Sequence, residues 1–202
     1  MSHPTAALVI ASVTAVLRDR LANGLVQYSK VTHLGDVNVS VLPPDRITVG
    51  ADEPNQLNLF MYRVASHARL PKTGPDRAAT SQRGRQRLGL DLHYLLTAYG
   101  AQDFHSEILL GCAVHLLSGM PVLSPENGNG LSQPLTRAKD RSMSPVRAAL
   151  AATAVDDGFD HATVSQEFMS FEDMSKLWSV LQARYRPSVT YEVSAVSMSI
   201  DG

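Results

Sequence analysis

Two apolar segments constrain the fold of this chain more than any other feature. Residues 57–64 read LNLFMYRV, and residues 88–99 read LGLDLHYLLTAY. In the first segment, apolar side chains occupy both alternating sets of positions. A strand with one face in water alternates apolar and polar residues, whereas a strand covered on both faces does not. The chain is therefore predicted to form a sheet that other elements cover.

Helical periodicity in other parts of the chain predicts the helices that could cover this sheet. Apolar residues at spacings of three and four predict helices over residues 5–23, over residues 102–118 and from Ser170 onward, with a short helix at 145–154. The apolar stripe of the helix from Ser170 is expected to include Trp178 and Tyr185. Asn23-Gly24 is typical of a helix stop, and Ser170 with Asp173 resembles a capping box. Further strands are expected over 37–41, 164–168 and 188–200. This order predicts an α/β (α+β) fold in one domain, 1–202, with a single mixed or antiparallel sheet and helices packed on it.

The last predicted strand changes the side on which its apolar residues lie. Val189, Tyr191 and Val193 share one parity, whereas Val196 and Ile200 share the other. An extra residue in a β-bulge produces such a switch. Exposed strand edges can pair with a strand of another protein. We therefore expect this strand to be a docking edge, with Val189, Thr190, Tyr191, Glu192 and Val193 as the candidate contact residues.

A basic segment separates the two constraining strands. Residues 67–87 hold six basic residues against one aspartate, and they are read as a long exposed loop; a second long loop is expected at 125–147. Three interpretations stay open for the basic loop: contact with an acidic protein face, a solvated loop, or nucleic-acid binding, which the absence of interleaved aromatic residues disfavours. The candidate contact residues are Arg69, Lys72, Arg77, Arg83, Arg85 and Arg87.

Composition and motifs narrow the classes of function. The net charge is −1, and Cys112 is the single cysteine, so neither an overall attraction to nucleic acid nor a cysteine metal site is expected. Residues 6–17 are apolar but run directly into Arg18, which favours a buried helix over a signal peptide. No nucleophile, phosphate-binding or metal-ligand spacing occurs. We expect no catalytic residues, no cofactor and no metal.

Four segments together resemble one family. They are residues 57–64, residues 88–100, ILLGCAVHLLSGMPVLS at 108–124, and SFEDMSKLWSVLQARYRPSVTYEVSAVSM at 170–198. In this order they are similar to the cap, or tail-terminator, proteins of extracellular contractile injection systems, which are phage-tail-like bacterial particles. The last segment is the most specific, and the resemblance covers most of the chain.

The resemblance implies a structural function without catalysis. Such caps form a ring of six copies that ends the inner tube and anchors the last sheath layer at the end distal to the baseplate. The expected partners are other copies of the chain, tube protein and sheath protein, with no nucleic acid and no direct membrane contact. Synthesis in the bacterial cytoplasm is expected to precede incorporation into the particle. The alternatives are another tail-completion or baseplate-associated subunit and, more remotely, a small-molecule enzyme.

Overall fold

A computed structural model describes residues 8–50, 53–67, 86–123 and 162–200 of the chain. Three helices and six strands are described. The helices are α1 (Val9–Thr32), α2 (His105–Ser118) and α3 (Phe171–Val180), and a 3-10 turn spans Pro44–Arg46. The strands are β1 (Asn38–Ser40), β2 (Gln56–Ser66), β3 (Gln86–Tyr99), β4 (Val122–Leu123), β5 (Ala162–Glu167) and β6 (Ser188–Ile200).

All six described strands belong to one mixed sheet in the order β1-β2-β3-β6-β5-β4. β1 runs parallel to β2, and the other neighbours are antiparallel. The long β3 lies between β2 and β6, so the strand predicted from residues 88–99 is central in the sheet. The predicted fold class is confirmed.

Helices cover both faces of the sheet. The main core lies under α1 and α2, where Leu17, Leu21 and Leu109 meet Leu92 and Leu96 of β3. On the opposite face, α3 places Met174 and Trp178 against Leu95. Leu95 and its neighbour Leu96 point to opposite faces of the sheet and are both fully buried. Burial on both faces explains why apolar residues occupy both alternating sets of positions in β3.

α1 is longer than its sequence predicted. The helix continues through the expected stop at Gly24 and ends at Thr32, followed by His33 with φ 58°. Leu25 is buried in the same core and extends the apolar stripe by another turn. A Cβ atom at Gly24 would lie 2.5 Å from Cδ2 of Leu116, so the glycine lets α1 and α2 approach closely.

The switch in β6 is a bulge, as predicted. Leu90 and Leu92 of β3 pair with Val196 and Val193, so β6 carries one extra residue between them. Both valines are fully buried in the main core. The bulge therefore returns the second half of the strand to the same apolar layer.

Other boundaries differ from the sequence prediction or lie beyond the described residues. Val122–Leu123 forms a short strand that the sequence pattern did not predict, and Leu123 is buried in the core beside β5. α3 ends at Val180, so Tyr185, assigned to its apolar stripe, lies outside the helix and is half exposed. Most of the expected loop at 67–87 lies outside the described residues. The expected loop at 125–147 and the short helix at 145–154 lie wholly outside them.

A clamp of charged groups joins the sheet to the segment before β2. Arg186 donates two hydrogen bonds to Glu53, from Nη1 to Oε1 at 2.7 Å and from Nη2 to Oε2 at 2.5 Å. Glu53 also accepts from the backbone N–H of Gly100 at 3.2 Å. The Arg186 guanidinium lies 4.9 Å from the ring centre of Tyr99. Burial raises the pKa of Tyr99 to about 12. These contacts fix the start of β6 against the end of β3.

Within the described residues, no helix combines the length and apolar character that crossing a bilayer requires.

Candidate functional site

The five candidate contact residues of β6 lie inside the sheet. Thr190, Tyr191 and Val193 are each 3% exposed or less. β3 pairs with one side of this stretch and β5 pairs with the other from Thr190 to Ser194. The prediction of a free docking edge there is wrong, because alternation reveals which faces of a strand are covered and not whether its edges are paired. Contact through the partly exposed Val189 and Glu192 side chains stays a prediction.

The basic residues cannot be located in the same way. Arg87 lies in β3, but its side chain is outside the described part of the structure. The other five basic residues lie wholly outside the described ranges: Arg69, Lys72, Arg77, Arg83 and Arg85. The role of all six as protein contacts stays a prediction.

β2 has a free edge of the kind that the candidate stretch of β6 lacks. β1 pairs only with Gln56, Leu57 and Asn58, and beyond Asn58 no described strand lies along that side of β2. The edge therefore extends over 59–66. A bulge between Met61 and Arg63 interrupts its regularity, and Arg63 is exposed. Bulges and charges at an edge discourage unselective pairing, which is typical of an edge that must stay available to a specific partner.

The basic segment is attached to one end of this edge. β2 ends at Ser66 and β3 begins at Gln86, and the two strands pair directly up to Ser66 opposite Leu90. The intervening residues therefore leave and re-enter the sheet at the same end. The last residues of β6 pair with Gln86 to Leu90 at that end as well. The topology thus brings the free edge of β2, both ends of the basic segment and the end of β6 to one end of the sheet.

α3 presents an exposed aromatic patch on the other side of the molecule from α1 and α2. We define the aromatic patch as Phe168, Phe171 and Tyr185, whose exposed fractions are 92%, 75% and 51%. The Tyr185 ring lies edge-on to Phe171 and to Trp178, with ring centres 6.0 Å apart in each pair. The helix buries only Met174 and Trp178. Aromatic side chains are enriched in protein interfaces, so this patch is suited to contact another chain.

Little in the sequence indicates this patch. Tyr185 was assigned to the buried stripe of α3 because its spacing continues the series through Trp178. The capped start of the helix was predicted correctly: Ser170 accepts a hydrogen bond from the Asp173 N–H at 3.1 Å. α3 has only ten residues and buries two of them, so Phe171 and Val180 stay exposed.

Two places among the described residues bear on possible chemistry. Cys112 is buried in the core, and burial raises the pKa of its thiol, which disfavours the nucleophilic thiolate. His93, Glu167 and Glu192 come together on the α3 face of the sheet and could hold a metal ion. Sequence reasoning missed this group because its members lie far apart in the chain and only strand pairing brings them together.

Comparisons with known proteins agree with the predicted resemblance. A family model described as the Pvc16 N-terminal domain matches residues 12–201. The sequence matches none of the curated proteins. A cryo-EM structure described as the sheath/tube terminator of an extracellular contractile injection system, PVC, in its extended state has a TM-score of 0.54 and 17% identity. That alignment covers 96% of this chain and 57% of the solved chain, and it shows a shared fold.

A second solved structure is described as the anti-feeding prophage cap, a tube-terminating cap. Its TM-score is 0.48 and its identity 15%, over 88% of this chain and 55% of the solved chain. The chain thus spans a little over half the length of both solved proteins.

Proposed function

The chain belongs to the Pvc16 N-terminal domain family, and from this premise we propose that it is a structural cap subunit of a bacterial contractile injection particle. In this role it ends the inner tube and anchors the last sheath layer. The observation that carries the proposal is the family match over 12–201. The fold shared with a solved sheath/tube terminator supports it.

The described surfaces suit a subunit that contacts several neighbours. A closed ring requires two different surfaces on each copy, one for each neighbour. The edge of β2 and the aromatic patch lie at different places on the sheet, and one can accept a strand while the other can pack against an apolar surface. We assign the aromatic patch to contact between copies and the end of the sheet bearing the basic segment to contact with an acidic tube or sheath face.

The wider proposal covers assembly and location. The chain acts as one domain in a ring of six copies, with tube and sheath proteins as its partners and without direct contact with nucleic acid or membrane. Its function is structural and involves no catalysis. It is made in the bacterial cytoplasm and then occupies the end of the particle distal to the baseplate.

Electron microscopy of particles from cells with and without this chain tests the cap function directly. Without the chain, we expect tubes of irregular or excessive length that lack a terminal ring, and complementation should restore both length and ring. Particles of normal length with a normal terminal ring would contradict the proposal. If the particles instead lacked a baseplate, the function would move to a baseplate-associated subunit.

A pair of matched substitutions tests the aromatic patch. Phe171→Asp places a charge in the patch, whereas Phe104→Asp makes the same change at the start of α2. The two phenylalanines are matched in exposure, since Phe104 is 74% exposed and Phe171 is 75% exposed. We expect Phe171→Asp to reduce the fraction of particles with a terminal ring and Phe104→Asp to leave it unchanged. Equal ring occupancy in the two variants would exclude the patch as an essential contact.

Deletion of residues 72–84 tests the basic segment. We expect monomeric folding to persist and the subunit to be lost from particle ends, because the deletion removes positive charge that faces an acidic partner. Circular dichroism checks the fold, and micrographs give cap occupancy. Unchanged cap occupancy and particle length would refute the assignment.

A further inference from the structure

We propose that His93, Glu167 and Glu192 form a binding site for a divalent transition-metal ion of the zinc type. The site is independent of the cap function, since it rests on three side chains of the sheet and on no particle component. Their candidate ligand atoms lie within 4.8 Å of one another.

Strand register explains how three distant residues meet. His93 of β3 stands directly opposite Glu192 of β6, and Glu192 stands opposite Ser165 of β5. Glu167 lies two residues beyond Ser165, on the same face and one pair further along. Directly opposed and diagonal positions in a sheet are within reach of long side chains. The fixed backbone of three neighbouring strands therefore holds all three groups in place.

The bulge in β2 adds a fourth group beside them. Because β2 carries one extra residue between Met61 and Arg63, Tyr62 and Arg63 both lie on the His93 side of the sheet. The Tyr62 hydroxyl donates to Oε2 of Glu167 at 3.1 Å, and its ring centre lies 6.0 Å from that of His93. Tyr62 thus orients one carboxylate ligand from outside, as supporting residues do around metal sites.

The distances leave room for an ion after small side-chain rotations. Zinc binds imidazole nitrogen and carboxylate oxygen at about 2.0–2.2 Å, so tetrahedral ligand atoms lie roughly 3.3–3.5 Å apart. Nδ1 of His93 and Oε2 of Glu167 are already 3.0 Å apart. His93 is 6% exposed and fixed by its surroundings. The glutamates are partly exposed and can turn toward the ion, while solvent supplies an open coordination position.

Charge favours a cation at this place. Two carboxylates face a neutral or singly charged imidazole, and within the described residues Glu192 forms no hydrogen bond or ion pair. Arg63 stands opposite His93 in the neighbouring strand and carries a positive charge. Arg63 is exposed, so its charge is screened by water.

Hydrogen bonding alone accounts for only part of the arrangement. The chain from Tyr62 through Glu167 to His93 satisfies those three groups. It leaves Glu192 beside a second carboxylate without a compensating partner in the described structure, which like charges disfavour. One imidazole with two carboxylates is a ligand set suited to zinc and similar ions, whereas Mg²⁺ and Ca²⁺ prefer oxygen ligands alone.

Titration of untagged, metal-stripped protein with ZnCl₂ tests the site. Isothermal calorimetry should show one strong site per chain, and CoCl₂ should give visible absorption bands that ZnCl₂ abolishes. Glu192→Gln should weaken zinc binding at least about tenfold, as loss of even a supporting group does at metal sites. Glu172→Gln, the same change on the exposed face of α3, should bind zinc like the wild type.

A second variant controls for folding. His93 is buried, so His93→Asn is interpreted only if circular dichroism shows the native fold, and it should then also lose the strong site. Glu192 is partly exposed and forms no described hydrogen bond, so its variant is expected to fold. Absence of a strong site in the wild type, or equal affinity in the wild type and Glu192→Gln, would overturn the proposal.

Discussion

The clamp between Arg186 and Glu53 permits a quantitative prediction. Both guanidinium nitrogens bond the carboxylate, and the two side chains are 25% and 9% exposed. Arg186→Met removes the charge and keeps most of the apolar stem over Tyr99. Glu53 is left nearly buried with only one described hydrogen bond, from Gly100. We therefore expect the variant to be substantially less stable.

The magnitude follows from burial. Breaking a buried ion pair by removing one partner costs about 3–5 kcal/mol. Because a quarter of Arg186 is exposed, solvent screening reduces the expected loss in the free energy of unfolding to about 2–4 kcal/mol. For a domain of this size, a loss of 3 kcal/mol lowers Tm by roughly 6–12 °C.

Urea unfolding of four proteins measures the effect: the wild type, Arg186→Met, Glu53→Gln and the double variant. The sum of the stability losses in the two single variants should exceed the loss in the double variant, because either change alone breaks the same ion pair. Lys176→Met serves as a control, since its pair with Glu172 on α3 is largely exposed, and it should leave stability unchanged. The clamp would not contribute to stability if Arg186→Met were no less stable than this control. The same would follow if the losses of the two single variants summed to the loss in the double variant.

Four further measurements test the packing. Tyr94→Phe removes a buried hydroxyl that lies 2.8 Å from the Thr14 hydroxyl; urea unfolding should show a loss of about 1 kcal/mol, and no loss would mean that this bond does not link α1 to the sheet. Ser170→Ala removes the cap of α3 and should cost about 1 kcal/mol in the same assay, whereas an unchanged midpoint would show that packing alone sets the start of the helix. Gly24→Leu forces α1 and α2 apart and should cost about 1–3 kcal/mol, and wild-type stability would show that the close approach is not required. Burial raises the pKa of Tyr99 to about 12, so between pH 10 and 12 the unfolded state releases its proton first and stability should fall as pH rises; ultraviolet titrations of the wild type and of Tyr99→Phe should differ by one tyrosine that ionises only as the protein unfolds, and a difference that appears near pH 10 in the folded protein would contradict this.

The candidate contact surfaces were predictable from the sequence only in part. Excess arginine marked the segment around Arg77, and the change of parity after Val193 marked a bulge that the structure confirms. The candidate stretch of β6 is paired on both sides from Thr190 to Val193, whereas among the described strands β2 has a free edge over 59–66. Hydrophobic alternation is set by what covers the two faces of a strand, whereas edge exposure depends on which strand pairs beside it. No local pattern carries that second kind of information.

The His93 group illustrates the same limit more sharply. Its three members lie on three strands and follow no ligand spacing, so nothing near any one of them in sequence indicates a site. Pairing of β3 with β6, and of β6 with β5, is what makes them neighbours. The extra residue in β2 then turns Tyr62 toward them.

By itself the sequence determined the kinds of element, the two-sided burial of the central strands and the family. These follow from local periodicity and from residues that lie close together in the chain. Only the tertiary structure decided that α1 continues past Gly24, since Leu116 of another helix uses the space that a side chain would fill. It also decided that Tyr191 and Val193 of the last strand lie in the middle of the sheet. Both outcomes depend on contacts between residues that are distant in sequence. The propensity of a local segment does not include the free energy of such contacts.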